Sequence, residues 1–492
     1  MKSNYFYPDG MAYTLQEILP DTAQCLTTGG DARIALDAIS GINQYSCRPF
    51  PDPTMLAYGS STASIISTQG YHHADQLRQR IVVALKTESA SIIYAHEIKR
   101  IREELIKLCE LPETTGVILS SSGTDIHSLV SRYVGRENNL APRIIMIEAN
   151  ETGKGVNAAL NSSIHDERND VIPVKVRLAD GELRPINAID EEIEMLVTEA
   201  IATNRSVLLI VTDQSKTGLI TPSLSCVLDL HQRFQDKIDV LIDACQFRLA
   251  PPTLRAYLDL GFMVALTGSK FLTGPSFSGA ILFKSELSAA LEAVSSTLNS
   301  NPSKTANFGL LLRWEVALQE LKVFRSIPQK YIITFIQDFT SAIHQRLQKD
   351  VFFEPLPVPK IDRSPMIVEH SWDQLQTIFP FLLYHADTDR TPLTAEETSI
   401  IYKQLAVSIN NECFSLQDHH AATASLRCQT GQPVACGNRN GVKISALRLC
   451  ISSRLIGEAA LEENNGQSII DGALSVLDKI TLLIQLLPML KA

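Results

Sequence analysis

Hydrophobic positions divide the chain into short apolar runs and longer segments with helical spacing. Between residues 116 and 283, apolar runs of strand length alternate with segments whose apolar residues recur every three or four positions. We expect strands at 143–149, 206–213 and 241–243, and another strand that leads into Lys270. This alternation is typical of a mostly parallel sheet with helices on both faces.

The ends of the chain have different patterns. The first 58 residues contain several prolines that break any long element, so we expect an N-terminal arm. Residues 74–110 predict a helix, and Thr394 with Glu397 forms a capping box that opens a helix over 395–408. Charged residues interrupt the apolar segment 468–490, which favours a packing helix over a membrane span.

The length of 492 residues exceeds what one small core needs, so two lobes are expected. The predicted parts are an arm at 1–58, a large domain at 59–321 and a small domain at 322–492. The predicted fold class is α/β, with a three-layer domain around a mostly parallel sheet and a smaller α+β C-terminal domain.

Composition narrows the functional classes. A net charge of −10 without a long basic run argues against nucleic-acid binding. The N-terminus lacks the apolar core of a secretory signal, and no membrane partner is expected. Nine scattered cysteines without a CxxC pair predict reduced thiols, a cytoplasmic location and no metal site.

Residues 241–283 carry the main candidate chemistry. Asp243 ends a short apolar strand and opens the sequence D-A-x-Q, which Gln246 completes. Thr267-Gly268-Ser269-Lys270 follows the next strand. A lysine amine can hold an aldehyde cofactor as a Schiff base, and a buried aspartate can keep a pyridine nitrogen protonated. The stretch therefore predicts a pyridoxal 5'-phosphate (PLP) site with Lys270 and Asp243 as catalytic residues.

This stretch resembles the class V aminotransferase and cysteine desulfurase-like family of fold-type I PLP-dependent enzymes. The resemblance covers roughly residues 60–455. It implies Asp243 on the pyridine nitrogen, Gln246 near the ring hydroxyl, and Thr267 and Ser269 on the phosphate. It also implies a homodimer, in which Thr305 of one subunit reaches the phosphate in the other. A helix cap is the equal alternative for Thr305.

A second predicted phosphate contact lies at Ser122, Gly123 and Thr124, where a strand turns into a helix. Free backbone N–H groups and the helix dipole at such a junction suit an anion. A simple N-cap is the alternative for Ser122 or Thr124. The position of this junction upstream of the aspartate matches the resembled family.

Two stretches depart from the family pattern. Glu151 and Thr152 occupy the place where the family has a histidine or aromatic ring on the cofactor, and we retain Thr152 as a cofactor-binding candidate. Counting from Gly218 and Pro222 puts Ser215 where the family has an asparagine near the ring oxygen.

The C-terminal third supplies the substrate candidate. The strand around Arg448 resembles the family's x-R-x-S strand, which implies that Arg448 grips the substrate carboxylate. Arg454 is the second choice, and an edge-strand surface charge is the alternative for either arginine. Cys436, expected in a glycine-rich loop, and Cys428 are better explained as buried thiols than as a desulfurase nucleophile.

Together these residues predict a PLP-dependent enzyme that acts on a small α-amino acid. Transamination is the first choice, because the stacked histidine and a well-placed cysteine are missing. A cysteine desulfurase-like or other C–S or C–C lyase is the alternative, and decarboxylation and C–C bond formation also remain open. A catalytically silent PLP-binding protein is the alternative of another class.

Overall fold

The computed structural model describes residues 5–6, 12–13, 19–61, 63–135, 140–153, 155–161, 169–298, 306–366, 371–385, 389–409 and 418–491. Two sheets organise these residues. The larger sheet lies in the middle of the chain, and the smaller sheet is built mainly from the C-terminal third.

The larger sheet has eight strands: β4 Gly116–Ser120, β5 Arg143–Ile147, β6 Asp170–Val174, β7 Val207–Asp213, β8 Ile220–Thr221, β9 Ile238–Asp243, β10 Met263–Thr267 and β11 Gly279–Phe283. Their order is β4-β11-β10-β9-β7-β5-β6, with β8 paired to β7. Strands β10, β9, β7, β5 and β6 run parallel, and β11 pairs antiparallel with both β10 and β4. The predicted mostly parallel sheet is confirmed.

Both faces of this sheet are covered. Leu208 and Ile210 of β7 belong to one apolar cluster, together with Leu129. The alternate residues Leu209 and Val211 belong to the cluster on the other side. Since successive side chains of a strand point to opposite faces, two-sided burial produces the three layers that the sequence predicted.

The helices before and around this sheet are α1 Thr22–Leu26, α2 Thr68–Ala84, α3 Ala90–Leu108, α4 Gly123–Val134, α5 Val156–Leu160, α6 Ile186–Ala202, α7 Leu224–Phe234, α8 Pro251–Asp259, α9 Ser288–Leu298 and α10 Phe308–Arg325. Helices α4, α5 and α9 pack together on one face. Long helix α10 packs against α2 and α3. The single helix predicted over 74–110 is two helices: α2 ends at Ala84, and α3 begins at Ala90 with Ser89 as its N-cap.

The smaller sheet has the order β12-β13-β15-β14-β3. Its strands are β3 Met55–Tyr58, β12 Phe353–Pro355, β13 Ile378–Leu383, β14 Arg427–Arg439 and β15 Val442–Cys450. The accompanying helices are α11 Gln329–Lys349, α12 Ala395–Leu405, α13 Asp418–Ser425, α14 Ser453–Ala460, α15 Gln467–Gln485 and α16 Leu487–Lys491. The C-terminal α+β unit is therefore present. Strand β3, from the stretch predicted as an arm, pairs parallel with β14.

Local signals at two C-terminal helices agree with the structure. The Thr394 hydroxyl accepts from the Glu397 amide, and the Glu397 carboxylate accepts from the Thr394 amide, so the capping box is confirmed. The segment Gln467–Lys491 is long and apolar enough to cross a membrane, but 56% of its most apolar stretch is buried inside the protein. Helix α15 packs against α11, α12, α13 and α14.

Candidate active site

Asp243 and Lys270 come together at one edge of the larger sheet. Asp243 is the last residue of β9, and its register partner on the parallel strand β10 is Ala265. Lys270 follows the end of β10 and is half-buried in a turn that Thr273 closes, its amide donating to the Lys270 carbonyl at 2.9 Å. Because carboxyl ends of parallel strands share one edge, this is where the fold places ligands.

The His127 side chain of α4 contacts the Asp243 carboxylate. Its Nε2 lies 3.4 Å from Asp243 Oδ2, and its Nδ1 lies 2.7 Å from the Gly123 carbonyl. Both ring nitrogens thus face acceptors, which the doubly protonated ring satisfies. Burial alone would lower the pKa of His127, but Asp243 and the Gly123 carbonyl raise it above its ordinary value. The contact therefore favours the protonated form of His127 and the ionised form of Asp243.

The charge state of Asp243 follows from these neighbours. Burial alone would raise its pKa, but His127 and the charge of Lys270 hold the pKa well below its usual range. The Cys245 amide also donates to Asp243 Oδ1 at 3.2 Å. Asp243 is therefore a buried carboxylate that stays ionised, as a partner for a protonated ring nitrogen must.

The N-terminus of α4 packs directly against the D-A-x-Q turn. Ser122 is the N-cap, and its Oγ accepts from the Asp125 amide at 3.2 Å. A methyl group at Gly123 would lie 2.9 Å from Cys245 Sγ and 3.2 Å from Thr267 Cγ2. Only glycine fits this approach without displacement. The structure thus brings the predicted Ser122-Gly123-Thr124 junction beside the ends of β9 and β10.

Thr267, Ser269 and Gln246 surround the same turn. Thr267 Oγ1 donates to the Cys245 carbonyl at 2.6 Å, which leaves its lone pairs for other donors. Ser269 is half-buried beside Lys270. Gln246 Nε2 donates to the Ser61 carbonyl at 3.0 Å, so the loop that begins at Gly59 lies against the site.

Glu151 has a structural environment that the sequence did not reveal. It is buried and accepts from Arg177 Nε at 3.1 Å, and from Ser215 Oγ and Thr217 Oγ1 at 2.7 Å each. Ser215 therefore gives its hydroxyl proton to Glu151, and this geometry favours a structural role over contact with a ring oxygen. Thr152, the neighbouring candidate, is buried and retains an unpaired Oγ1 within the described residues.

Arg448 lies deep in the small sheet. Its guanidinium is fully buried and donates to the carbonyls of Lys216 and Gln432. It therefore joins the β7–β8 turn to β14, and its role as a carboxylate clamp stays a prediction. Arg454 lies on α14, with Nε 3.8 Å from Glu458 Oε1.

The expectation of a glycine-rich loop around Cys436 is wrong. Cys436 lies inside strand β14, because the segment after Gly431 continues pairing with β15 through two irregularities in register. Its Sγ donates to the Val434 carbonyl at 3.2 Å, and burial raises its pKa to about 11. Burial also raises the pKa of Cys428 to about 11. Neither thiol has the exposure or low pKa of a nucleophile.

His127 was not among the site residues predicted from the sequence, although a local signal was present. His127 follows Gly123 by one helical turn, so both residues face the sheet together. Thr305 lies outside the described residues, and its role stays a prediction. Within the described part of the chain, no group of three or more His, Cys, Asp or Glu side chains is arranged to hold a metal ion.

The donor set fits a phosphorylated aromatic aldehyde. Thr152 Oγ1, Gln246 Oε1 and Ser61 Oγ are buried and have no hydrogen-bond partner among the described residues. Such groups are costly unless a ligand or water satisfies them. They accompany an ionised aspartate, an amine and a helix N-terminus, each of which matches a different part of PLP.

Comparisons with known proteins address the fold. No protein-family model matches the chain, and no curated protein sequence matches it. Similar solved structures include the Oryza sativa TDC with PLP and tryptamine, at 12% identity and a TM-score of 0.53, covering 88% of this chain and 84% of that one.

Two further structures have similar scores. An SPT structure with PLP shares 11% identity with a TM-score of 0.51, and the match covers 87% of each chain. The glutamate decarboxylase domain of a Vibrio parahaemolyticus diaminobutyrate-pyruvate transaminase and decarboxylase shares 14% identity with a TM-score of 0.51, covering 88% of this chain and 80% of that one. The chain therefore has the three-layer fold of the fold-type I PLP-dependent enzymes.

Proposed function

We propose that the protein is a PLP-dependent enzyme that acts on a small α-amino acid. The observation that carries this proposal is a buried, ionised Asp243 and a half-buried Lys270 at the ends of two neighbouring strands. The TDC and SPT structures that share the fold contain PLP, which supports the same cofactor.

Each side chain has a distinct part in the proposed site. Lys270 provides the amine for the cofactor aldehyde, and later accepts and returns a proton at Nζ. Asp243, held ionised by His127, keeps a proton on the ring nitrogen. The α4 N-terminus with Thr124, Thr267 and Ser269 binds the phosphate. When bound, PLP withdraws electrons from the substrate Cα, which weakens the bonds to that carbon.

For the reaction type we propose transamination, as a class V-like aminotransferase. Neither Glu151 nor Thr152 has an aromatic or imidazole ring that could stack on the cofactor. The buried thiols of Cys428 and Cys436 also argue against the desulfurase alternative. Decarboxylation is the second candidate, because the Vibrio parahaemolyticus structure described as a glutamate decarboxylase domain shares the fold. A homodimer and a cytoplasmic location complete the proposal. The eight described cysteines, all of which are free, support the location.

An absorbance titration tests the cofactor. Adding PLP to the purified protein should produce a band near ~420 nm, the general signature of PLP bonded to a lysine. Lys270→Ala should abolish the band, whereas the control Lys284→Ala should keep it, because Lys284 is exposed beyond β11. A protein that takes up no PLP would refute the proposal, and an unchanged band in Lys270→Ala would refute the lysine assignment.

Adding amino acids to the PLP-loaded protein separates the reactions. Transamination converts the visible band to a pyridoxamine-like band and releases a 2-oxo acid, whereas decarboxylation releases CO₂ and an amine. Sulfide release would restore the lyase alternative. Binding of PLP with no turnover of any amino acid would favour the catalytically silent protein.

A further inference from the structure

Arg33, in the stretch predicted as an arm, is not among the residues assigned to the proposed site. Arg33 Nη1 lies 3.5 Å from Thr124 Oγ1, at the N-terminus of α4. A methyl group placed on Gly155 would lie 3.4 Å from Thr124 Cγ2 and 3.7 Å from Arg33 Nη1. Arg33, Thr124 and the Gly155 backbone therefore surround one small space beside the helix terminus.

Contacts on its other edges fix the direction of Arg33. Asp31 accepts from Arg33 Nε at 2.9 and 3.0 Å and from Nη2 at 2.6 Å. The guanidinium carbon lies 5.1 Å from the centre of the Phe277 ring. Asp31 thus binds one side of the guanidinium, and Phe277 lies against one of its faces. Tyr45 is a further side-chain hydrogen-bond partner, and Nη1 lies next to Thr124.

The fold holds this part of the arm in place. Fully buried Arg313 of α10 donates to the carbonyls of Thr28, Gly29 and Phe277. Asn307 Nδ2 also donates to the Gly29 carbonyl, at 2.9 Å. The same arginine therefore fixes both the arm and the loop that carries Phe277. The segment that carries Arg33 is therefore fixed by hydrogen bonds to α10 and its N-cap.

A phosphate bound at the N-terminus of α4 would need a cation nearby to balance its charge. Asp125 lies in the first turn of α4 and adds a negative charge where a phosphate dianion would bind. The helix dipole offsets only about half an elementary charge. A guanidinium next to Thr124 supplies both charge and directed N–H groups, and hydrogen bonds of this kind are strong.

We propose that Arg33 neutralises and hydrogen-bonds the phosphate monoester of the cofactor at the N-terminus of α4. This inference rests on the proposed function, since it assigns a residue to the same cofactor. It gives the N-terminal segment a part in cofactor binding. The competing explanation is a partly exposed ion pair with Asp31, with side chains 26% and 52% exposed, which would have little effect on any ligand.

The test compares PLP with pyridoxal, which has the same aldehyde and ring but no phosphate. In absorbance titrations, Arg33→Gln should weaken PLP binding by about 10- to 100-fold, the usual effect of losing a charge-assisted hydrogen bond. Pyridoxal affinity should not change. Arg33→Lys, which keeps the charge, should recover part of the PLP affinity, and Arg48→Gln, an exposed arginine of the same segment, should match wild type.

The outcomes separate this inference from the proposed function. If wild type binds neither PLP nor pyridoxal, the proposed function fails. If wild type binds PLP and Arg33→Gln binds it equally well, the inference is overturned and the function stands. An equal loss for PLP and pyridoxal would also overturn it, because that result indicates damage to the site. Should Arg33→Gln fold poorly, Arg33→Met, which retains packing over Phe277, replaces it.

Discussion

The presence of Asp243 at the site could be predicted from the sequence, but its ionisation state could not. The D-A-x-Q pattern at a strand end was enough to predict a carboxylate at the site. The ionised state of Asp243 depends on His127, which lies on α4, the helix that follows strand β4. The sequence predicted the acid, and the tertiary structure explains why it stays charged in a buried position.

We expect Asp243→Asn to lower kcat by at least about 100-fold, because an amide cannot hold the ring nitrogen protonated. PLP should still bind and give its visible band. Steady-state kinetics with the best amino acid substrate measure the change. Asp236→Asn, at the exposed entry to β9, is the control and should leave kcat unaltered. Full activity of Asp243→Asn would contradict the assigned role.

The His127–Asp243 pair should make stability depend on pH. The pKa of His127 is raised by folding, so its contribution is present below its ordinary value of 6.5 and is lost as the pH rises through the raised value. The pKa of Asp243 is lowered from 3.8, so its contribution is present above 3.8 and is lost only in stronger acid.

His127→Gln tests this linkage. Without cofactor, the loss in unfolding free energy relative to wild type should be larger at about pH 5.5 than at about pH 9, because the imidazolium charge is absent at high pH. Urea titrations at both pH values give the two differences. Equal differences would show that His127 contributes packing alone.

Glu151 is expected to be a structural residue. Glu151→Gln leaves the buried guanidinium of Arg177 without its counter-charge, and breaking such pairs costs about 3–5 kcal/mol of unfolding free energy. Glu103→Gln removes only an exposed pair with Lys99 and should cause little change. Chemical denaturation measures both. A stable Glu151→Gln variant with impaired catalysis would instead place Glu151 in the reaction.

At the scale of elements, the contact between α4 and the turn after β9 decides how tightly the site is built. Gly123→Ala adds a methyl group 2.9 Å from Cys245 Sγ, and such overpacking costs about 1–3 kcal/mol. PLP affinity should fall as the helix terminus moves away. Gly135→Ala, at the other end of α4, has only ordinary contacts of 3.5 Å or more and is the matched control. Unaltered PLP affinity in Gly123→Ala would show that the phosphate binds elsewhere.

Element types were predicted well where local patterns were strong. The strands of the larger sheet and the Thr394 capping box follow from apolar periodicity and turn chemistry, which act over a few residues. The errors arose where a long-range contact or a short break decided the outcome. The predicted helix over 74–110 is interrupted between Ala84 and Ala90, and pairing with β15 makes the expected loop around Cys436 a strand.

At the scale of the whole molecule, the predicted homodimer leads to a complementation test. If Thr305 of one subunit contacts the phosphate in the other, Lys270→Ala and Thr305→Ala damage different halves of each site. Each variant alone should have little activity, and refolding the two together should restore part of it, because some mixed dimers contain one intact site. Absence of recovery in mixed dimers that are shown to form would exclude a shared site.

The sequence by itself predicted the alternation of strands and helices along the chain, and it placed Asp243, Lys270 and the Ser122-Gly123-Thr124 junction at or near strand ends. These features depend on side-chain periodicity and on short-range backbone preferences. The tertiary structure alone brought Arg33 beside Thr124, 91 residues away in sequence. It also buried Arg448 among backbone carbonyls and gave Glu151 its partners. Such contacts depend on how the layers pack, which no local pattern in the sequence specifies.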